Sequence, residues 1–343
     1  MFVVNGRTAD EAWRAAATLF SADGPARRQE GRGGDTMELL HVAMKVEEPS
    51  ERWIVSRTPA LNPAFALVEV FWIVSGRRDS ALPLHWNPRL SLYCGNDAEY
   101  HGAYGYRLRS HFGLDQIDRV FHALEARPDT RQAVLQIWDA AVDLPDEDGV
   151  PASRDIPCNV VAFPKVRDGK LEWMQVLRSN DLFLGVPHNV VQFTTLQEIM
   201  AGWLGVVPGS YQHISDSLHI YMRDLDAVVE SMVPVALPPN TDSFALDRPS
   251  WERTMSGVMG RLAGMMRPGL NPRELRSLAL AGDMPPAYEH ALRVAAADTA
   301  RRNGWTDVTE DCAGAISNPA LALLWSRWEE RTRARAAAPG GAP

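Results

Sequence analysis

The chain has 343 residues, 45% hydrophobic and 23% charged, a composition that excludes a disordered or collagen-like protein. Its formal net charge of −8 at pH 7 argues against a broadly basic nucleic-acid surface, and no apolar run reaches the length of a membrane span. The three cysteines are far apart and include no CxxC pair, which argues against a zinc site or a disulfide framework. We therefore predict a cytoplasmic protein without a bound metal and without a nucleic-acid or membrane partner.

The N-terminal segment predicts a helix and then a loop. Thr8 and Glu11 have the spacing of a capping box, which places the start of a helix at Thr8. The segment "SADGPARRQEGRGGD" (21–35) is rich in glycine and arginine. It is either a solvated loop or an anion-binding flap, and its residue types are compatible with both.

The next segments predict a buried helix and a buried strand. "NPAFALVEVFWIVSG" (62–76) has the apolar character of a buried helix that ends at Gly76. Glu69 lies inside this segment, where a carboxylate is costly unless it is paired or used. "RQAVLQIWD" (131–139) predicts a buried strand.

The second half of the chain predicts a hairpin, a long helix and then a change to a mostly helical sequence pattern. "CNVVAFPKV" and "LEWMQVLRS" flank Asp168 and Gly169, a dipeptide typical of a tight hairpin turn. Pro187 opens a helix that ends at Gly205. "GSYQHISDS" predicts a strand and "LHIYMRDLDAVVESM" predicts a helix. After "PVALPPNTDS", residues 249–338 predict a mostly helical region.

Cys158, in "IPCNVVAF", is the first candidate for chemistry. A lone cysteine with apolar neighbours is commonly an inert core residue. The segment "LRSNDLFLGVPHN" (177–189) favours a nucleophile instead, because the hairpin returns Arg178 towards the strand that begins at Cys158. An arginine near a thiol favours the reactive thiolate. From these residues alone, both interpretations stay open.

Six ordered blocks of the sequence resemble the thymidylate synthase superfamily. They are "VEVFWIVSG", "HGAYGYRLR", "DTRQAVLQIWD", "IPCN", "DGKLEWMQVLRSNDLFLGVPHNVVQFTTL" and "SDSLHIY". The resemblance implies an α+β fold with a large mixed sheet and flanking helices, and an obligate homodimer in which two such sheets pack together. We expect a catalytic domain over residues 1–240, a helical extension packed on it over 241–335, and a disordered tail over 336–343.

The resemblance also implies a reaction. In this family a cysteine thiolate adds to C6 of a pyrimidine nucleoside monophosphate, and C5 then attacks the one-carbon unit of 5,10-methylenetetrahydrofolate. Cys158 stands at the position of the nucleophile. Glu69 matches the buried glutamate that moves protons, and Tyr104 matches a tyrosine near C5. The resemblance therefore implies that these three residues are catalytic.

The remaining expected site residues bind the nucleotide or the folate. Those expected to bind the nucleotide are Arg178 and Ser179 at the phosphate, Asn189 at the base, His219 and Tyr221 at the ribose 3′-hydroxyl, Arg131 at the phosphate of a second protomer, and Arg28 from the flap. Those expected to bind the folate are Asp181 and Gly185. The flap does not align securely with the family, so Arg27 and Arg32 are alternatives to Arg28.

Departures from the synthase pattern point to a hydroxymethyl product. Asn159 replaces a histidine, His188 replaces an aromatic residue, and Trp86 is only the nearest candidate for the tryptophan that packs on the folate. A more polar and less sealed pocket favours addition of water over hydride. We therefore predict a hydroxymethylase, a group that includes the CMP hydroxymethylases of antibiotic biosynthesis.

Several alternatives to this prediction remain. The first is thymidylate synthase itself, and the second is a silent nucleotide- or RNA-binding relative. The substrate is also open between CMP, dCMP and dUMP. The family pattern associates an asparagine at position 189 with uracil, but an amide can be flipped to pair with either base.

Overall fold

The computed structural model describes residues 1–31 and 33–337. Arg32, one of the alternative flap arginines, lies outside the described residues, as do residues 338–343 of the expected tail. None of the described helices is both long enough and apolar enough to cross a bilayer.

The described strands form one mixed sheet. They are β1 (Phe2–Gly6), β2 (Arg27–Gln29), β3 (Thr36–Val46), β4 (Leu135–Gln136), β5 (Asn159–Arg167), β6 (Lys170–Asp181) and β7 (Val207–Tyr221). Their order is β1-β3-β7-β6-β5-β4, with β2 paired to β3. The β1–β3 and β6–β7 pairs are parallel and the others are antiparallel.

Helices cover this sheet and continue to the end of the described chain. They are α1 (Ala9–Thr18), α2 (Pro63–Val74), α3 (Ala81–Trp86), α4 (Ser91–Cys94), α5 (Tyr104–Tyr106), α6 (Gln116–Ala126), α7 (Ala140–Asp143), α8 (Gly185–Leu204), α9 (Leu225–Glu230), α10 (Arg248–Met265), α11 (Pro272–Ala279), α12 (Pro286–Arg302), α13 (Thr306–Gly314) and α14 (Pro319–Ala337). The α8 helix lies against β6, β7 and α2. A mixed sheet with flanking helices confirms the expected α+β class.

Local sequence signals explain several of these boundaries. The Thr8 hydroxyl accepts from the Glu11 amide, and the Glu11 carboxylate caps in return, so the predicted capping box is confirmed. Asp168 and Gly169 both have positive φ, 50° and 70°, as a two-residue hairpin turn between β5 and β6 requires. Gly205, with φ of 66°, ends α8 in the left-handed conformation that glycine tolerates best.

Two predicted elements differ in the structure. The predicted helix over "LHIY" is wrong, because β7 continues to Tyr221 and α9 begins only at Leu225. Within this part of β7, His219 is paired on one side with Glu38 of β3 and on the other with Asp181 of β6. Ladders on both sides keep the segment extended despite its helical pattern.

The segments at the edge of the sheet differ in length from the prediction. The predicted strand over 131–139 shortens to Leu135–Gln136, which pairs with β5. Part of the predicted loop over 21–35 is instead strand β2, antiparallel to β3. Pairing with a long neighbouring strand decides these lengths, and single-segment patterns do not contain that information.

The C-terminal helices pack on α2. The Tyr288 ring stacks on Phe71 with centroids 6.0 Å apart, and its hydroxyl donates to the Phe244 carbonyl at 2.8 Å. Trp86 is fully buried, and its Nε1 donates to the Ala295 carbonyl of α12 at 3.0 Å. Its interpretation as the tryptophan that packs on a folate is therefore wrong, because the indole is part of the interface with the helical region.

Candidate active site

Cys158 lies beside the end of the hairpin, where Arg178 holds its backbone. The Cys158 carbonyl accepts from the Arg178 amide at 2.9 Å. The Arg178 guanidinium donates to the carbonyls of Pro157 and Ile156 at 3.0 and 3.2 Å, and it stacks on Trp138. The structure thus brings the predicted cysteine and arginine together. Cys158 is half-buried and lies on the loop whose carbonyls accept these hydrogen bonds.

Glu69 projects from α2 with its side chain 15% exposed. Burial raises the pKa of its carboxyl to about 7, although a hydrogen bond from Gln192 opposes the shift. The Gln192 Nε2 donates to Glu69 Oε2 at 2.6 Å. A carboxyl with a pKa near neutrality can both release and accept a proton at physiological pH.

Tyr104, on α5, lies close to both other candidate catalytic groups. Burial raises its pKa well above the usual value, and the charges of Cys158 and Glu69 act in the same direction. The neighbouring Asn159 side chain partly opposes the shift. The phenol therefore stays protonated at neutral pH. The structure groups the three predicted catalytic residues at one place, from three separate elements.

His188 and Gln192 add a polar wall beside Glu69. His188 Nδ1 lies 3.9 Å from Glu69 Oε2, too far for a direct hydrogen bond. Burial lowers the His188 pKa to about 3, so the ring is neutral. His188 Nδ1 and Gln192 Oε1 are buried and have no hydrogen-bond partner within the described part of the chain. Such atoms bind ordered water when space allows.

Sequence reasoning missed Gln192, and a signal for it exists. It stands in "NVVQFTTLQE", a stretch of helix with one charged residue, in which the polar and the apolar side chains are all buried. A buried amide inside such a helix needs a partner, and here the partner is a candidate catalytic residue. Cys94 and Asp155, which are hydrogen-bonded to each other near Cys158, carried no comparable signal.

The predicted base reader and the predicted folate contacts lie at the start of α8. Asn189 Nδ2 donates to Asn180 Oδ1 at 3.1 Å. Asp181 Oδ1 accepts from the amides of Phe183 and Leu184 at 2.7 and 2.9 Å. Asp181 Oδ2 is buried and finds no partner among the described residues, and burial raises the pKa of this carboxyl.

The predicted ribose pair lies at the end of β7. The rings of His219 and Tyr221 are 5.5 Å apart, and burial lowers the His219 pKa. A Cβ on Gly33 would lie 2.6 Å from the Tyr221 hydroxyl, so the flap crosses directly over this tyrosine. Ser179, the second predicted phosphate ligand, is half-buried on β6 opposite Ser217 of β7.

Two predicted phosphate-binding arginines stand apart from Arg178. Arg28, on β2, forms an ion pair with Asp35 and has a side chain 70% exposed. Asp35 also accepts the Met222 amide through its carbonyl at 2.9 Å, which ties this hairpin to the end of β7. Arg131 is exposed on the segment before β4.

Comparison with protein-family models matches residues 20–240 to thymidylate synthase. The chain belongs to the thymidylate synthase family. The family suggested by the sequence blocks is confirmed, and the family is one of one-carbon transferases. The matched region contains Glu69, Tyr104, Cys158 and Arg178, while the C-terminal helices from α10 onward lie outside it.

Individual relatives point to one branch of the family. The chain is 36% identical over 209 residues to a deoxyuridylate hydroxymethyltransferase of Bacillus phage SP01, covering 58% of this chain and 54% of that protein. A deoxyuridylate hydroxymethyltransferase of Pseudomonas phage M6 is 33% identical over 249 residues, 72% and 69% of the two chains. A thymidylate synthase of Clostridium beijerinckii is 30% identical over 198 residues, 57% and 71%.

Proposed function

We propose that the protein transfers a one-carbon unit from 5,10-methylenetetrahydrofolate to C5 of a pyrimidine nucleoside monophosphate and releases the 5-hydroxymethyl nucleotide. Deoxyuridylate is the proposed substrate, since two similar phage proteins are deoxyuridylate hydroxymethyltransferases. The observation that carries the proposal is the cluster of Cys158, Tyr104 and Glu69 with the neutral, polar wall of His188 and Gln192.

Cys158 is the proposed nucleophile. Its thiolate would add to C6 of the base and make C5 nucleophilic. The Arg178 guanidinium fixes the loop on which the cysteine sits, and a cation placed beside the sulfur would favour the thiolate. Arg178 and Ser179 would also contact the phosphate. Because two Arg178 donors already hold backbone carbonyls, the arginine is pre-positioned before the nucleotide arrives.

Glu69 and Tyr104 are the proposed proton-transfer groups. With a pKa raised to about 7, Glu69 can both give and take a proton near neutral pH. Tyr104 remains a neutral phenol and can donate a hydrogen bond to water near C5. Removal of the C5 proton would pass through such a water to Glu69.

The polar wall supports addition of water over hydride transfer. His188 Nδ1 lies 3.9 Å from Glu69 Oε2, and Gln192, whose Oε1 has no partner among the described residues, donates through Nε2 to the same carboxylate oxygen. After loss of the C5 proton and of the folate amine, C5 would carry an exocyclic methylene. A water would add to this carbon with Glu69 accepting its proton, and the electron pair that moves into the ring would expel the Cys158 thiolate from C6. In the sequence pattern of the synthases, an aromatic residue occupies the position of His188.

Asp181 and Gly185 are the proposed folate contacts. When bound, the folate supplies a one-carbon unit at the oxidation level of formaldehyde. The unsatisfied Asp181 Oδ2 fits a ring N–H donor, and two backbone amides orient this carboxylate through Oδ1. Gly185 has no side chain beside this position, so a planar ring can approach the backbone.

We also propose a homodimer. On strands β5, β6 and β7, half-exposed or exposed apolar side chains alternate with buried ones and so occupy the face opposite α8; they are Val161, Phe163, Met174, Val176 and Ile214. A second copy packed on this face would cover them. The exposed Arg131 would then reach the phosphate of the second protomer, and Arg28 would contact the phosphate of its own.

The direct test is a product assay. The protein is incubated with methylenetetrahydrofolate and, separately, with dUMP, dCMP, UMP and CMP, followed by mass spectrometry of the nucleotide and by measurement of dihydrofolate. We expect a hydroxymethyl mass gain on dUMP without dihydrofolate. A methyl gain with dihydrofolate would identify a thymidylate synthase, the activity named for the Clostridium beijerinckii relative.

A further inference from the structure

Behind the pocket, four buried polar side chains form a continuous chain of hydrogen bonds. It begins at Asn189, the expected base reader, and continues through three residues to which the proposed reaction gives no role. Asn189 Nδ2 donates to Asn180 Oδ1 at 3.1 Å, and Asn180 Nδ2 donates to His213 Nε2 at 2.6 Å. His213 Nδ1 lies 2.9 Å from the Tyr211 hydroxyl. Tyr211 and His213 are fully buried, and Asn180 and Asn189 are 3% and 7% exposed. A buried network of this kind is costly unless its members are satisfied together.

The direction of this chain follows from donor and acceptor chemistry. Burial lowers the His213 pKa to about 3, so the ring is neutral and carries one N–H. An amide nitrogen only donates, so Nε2 accepts from Asn180 and the ring proton is on Nδ1, where it is donated to Tyr211. Asn180 Nδ2 also donates to Ser215 Oγ at 3.3 Å. Two acceptors therefore hold the Asn180 nitrogen away from Asn189.

With its nitrogen held, Asn180 must present its oxygen to Asn189. The Asn189 nitrogen turns towards Asn180, and the Asn189 oxygen remains as an acceptor for the base. Gly185 leaves room for the pair, because a Cβ there would lie 2.8 Å from Asn180 Oδ1 and 3.6 Å from Asn189 Nδ2. Rotating the Asn189 amide by 180° would bring its oxygen against Asn180 Oδ1, and the repulsion between the two acceptors opposes the flip.

We propose that Asn180 and His213 are positioning residues that lock the Asn189 amide in the orientation that accepts from N3–H of uracil, and so select uracil over cytosine. This inference rests on the proposed function, because it assumes that Asn189 contacts the base. Cytosine has no hydrogen on N3, so its lone pair would oppose the Asn189 oxygen. A site built for a hydrogen bond strongly rejects the base that lacks it.

The first test measures binding of dUMP and dCMP by calorimetry, without folate, to wild type and to three variants. We expect wild type to prefer dUMP and Asn180→Ala to reduce this preference by roughly tenfold or more. His213→Phe removes the acceptor one step further away and should reduce the preference less. Tyr211→Phe, at the end of the chain, should change it least. A purely structural role predicts no such ranking.

The matched control is Gln197→Ala. Gln197 is a fully buried amide on the same helix as Asn189, but it donates to the carbonyls of Leu171 and Gly209 at 2.8 and 3.2 Å. Its removal should lower thermal stability while leaving the preference for dUMP unchanged. Any loss of preference that accompanies general loosening of α8 would appear in this control.

The second test keeps the inference open to refutation if Asn180→Ala fails to fold. Nitrogen NMR of histidine-labelled wild type, with His213→Phe used for assignment, should show His213 protonated on Nδ1 alone. A proton on Nε2 would overturn the lock. So would an Asn180→Ala variant that binds dUMP with the wild-type preference. If wild type binds neither nucleotide, the proposed function itself fails, which is a different outcome.

Discussion

Two carboxylates in this molecule, the largely buried Glu69 and the fully buried Asp143, are held in opposite ways. The Asp143 side chain is fully buried and accepts from Arg107 at 2.9 and 3.2 Å and from His101 at 2.7 Å. For Glu69, the hydrogen-bond donor found within the described residues is the neutral amide of Gln192. The first carboxylate is neutralised by a buried cation, and the second is not.

The difference separates a structural role from a reactive one. The Arg107–Asp143 ion pair holds α7 to the turn after α5. Each charge is balanced by the other, so neither side chain is available for proton transfer. The Glu69 carboxyl is desolvated and has no cation beside it, so its pKa is near 7 and it can exchange protons at neutral pH. Burial alone therefore does not identify a functional carboxylate. A neutral partner in place of a cation does identify it in this molecule.

The largest effect should follow from Glu69→Gln. The amide keeps the shape and the contact with Gln192 but cannot transfer a proton, so kcat should fall about 10²- to 10⁴-fold. Affinity for dUMP, measured by calorimetry, should change only a few-fold. A loss confined to affinity would contradict the proton-transfer role.

Asp143→Asn should instead act on stability. It leaves the buried Arg107 charge without its anion, so the free energy of unfolding should fall by about 3–5 kcal/mol. The double variant Arg107→Leu/Asp143→Leu, measured by urea denaturation, should recover much of this loss. Equal destabilisation in the single and double variants would show that charge pairing is not the cause.

The raised pKa of Glu69 predicts a pH dependence of stability. The folded state holds this proton up to about pH 7, and the unfolded state releases it near pH 4.5. The stabilisation is complete below pH 4.5 and is lost as the pH rises to about 7, a change of roughly 3 kcal/mol. Subtracting the curve for Glu69→Gln should isolate this term. A parallel pair of curves would contradict the shifted pKa.

The smallest effect should come from Gln192→Leu. The hydrogen bond from Gln192 lowers the Glu69 pKa, so its removal should move that pKa further upward. The inflection of kcat/KM near pH 7 should move to more alkaline pH in this variant. An inflection that stays in place, or moves to acid pH, would show that another group controls the profile.

Much of the fold was predictable from local patterns. The capping box at Thr8, the apolar helix around Glu69 and the Asp168-Gly169 turn each act over a few residues, and each is confirmed. The strand character of His219 and Tyr221 was missed because cross-strand neighbours determine it. The burial of Trp86 was missed because its partner helix is about 200 residues away.

Some features of the candidate site could also be predicted from the sequence, and others could not. Cys158, Arg178 and Glu69 could be chosen in advance, because the residue blocks carry a family resemblance. The contacts that define their chemistry could not: the Gln192 hydrogen bond joins residues 123 apart, and the chain through Asn180 and His213 joins residues 33 apart. Such contacts depend on tertiary packing, which local periodicity does not describe.

The central claim is that Cys158 forms a covalent bond to the pyrimidine ring, and intact-protein mass spectrometry tests it most directly. In 5-fluoro-dUMP the fluorine at C5 cannot leave as a proton, so an adduct formed with methylenetetrahydrofolate should accumulate. We predict a mass gain that includes the nucleotide, located on Cys158 by peptide mapping and absent from Cys158→Ala. Nucleotide binding without any covalent mass gain, or a label on Cys94 or Cys312, would contradict the account.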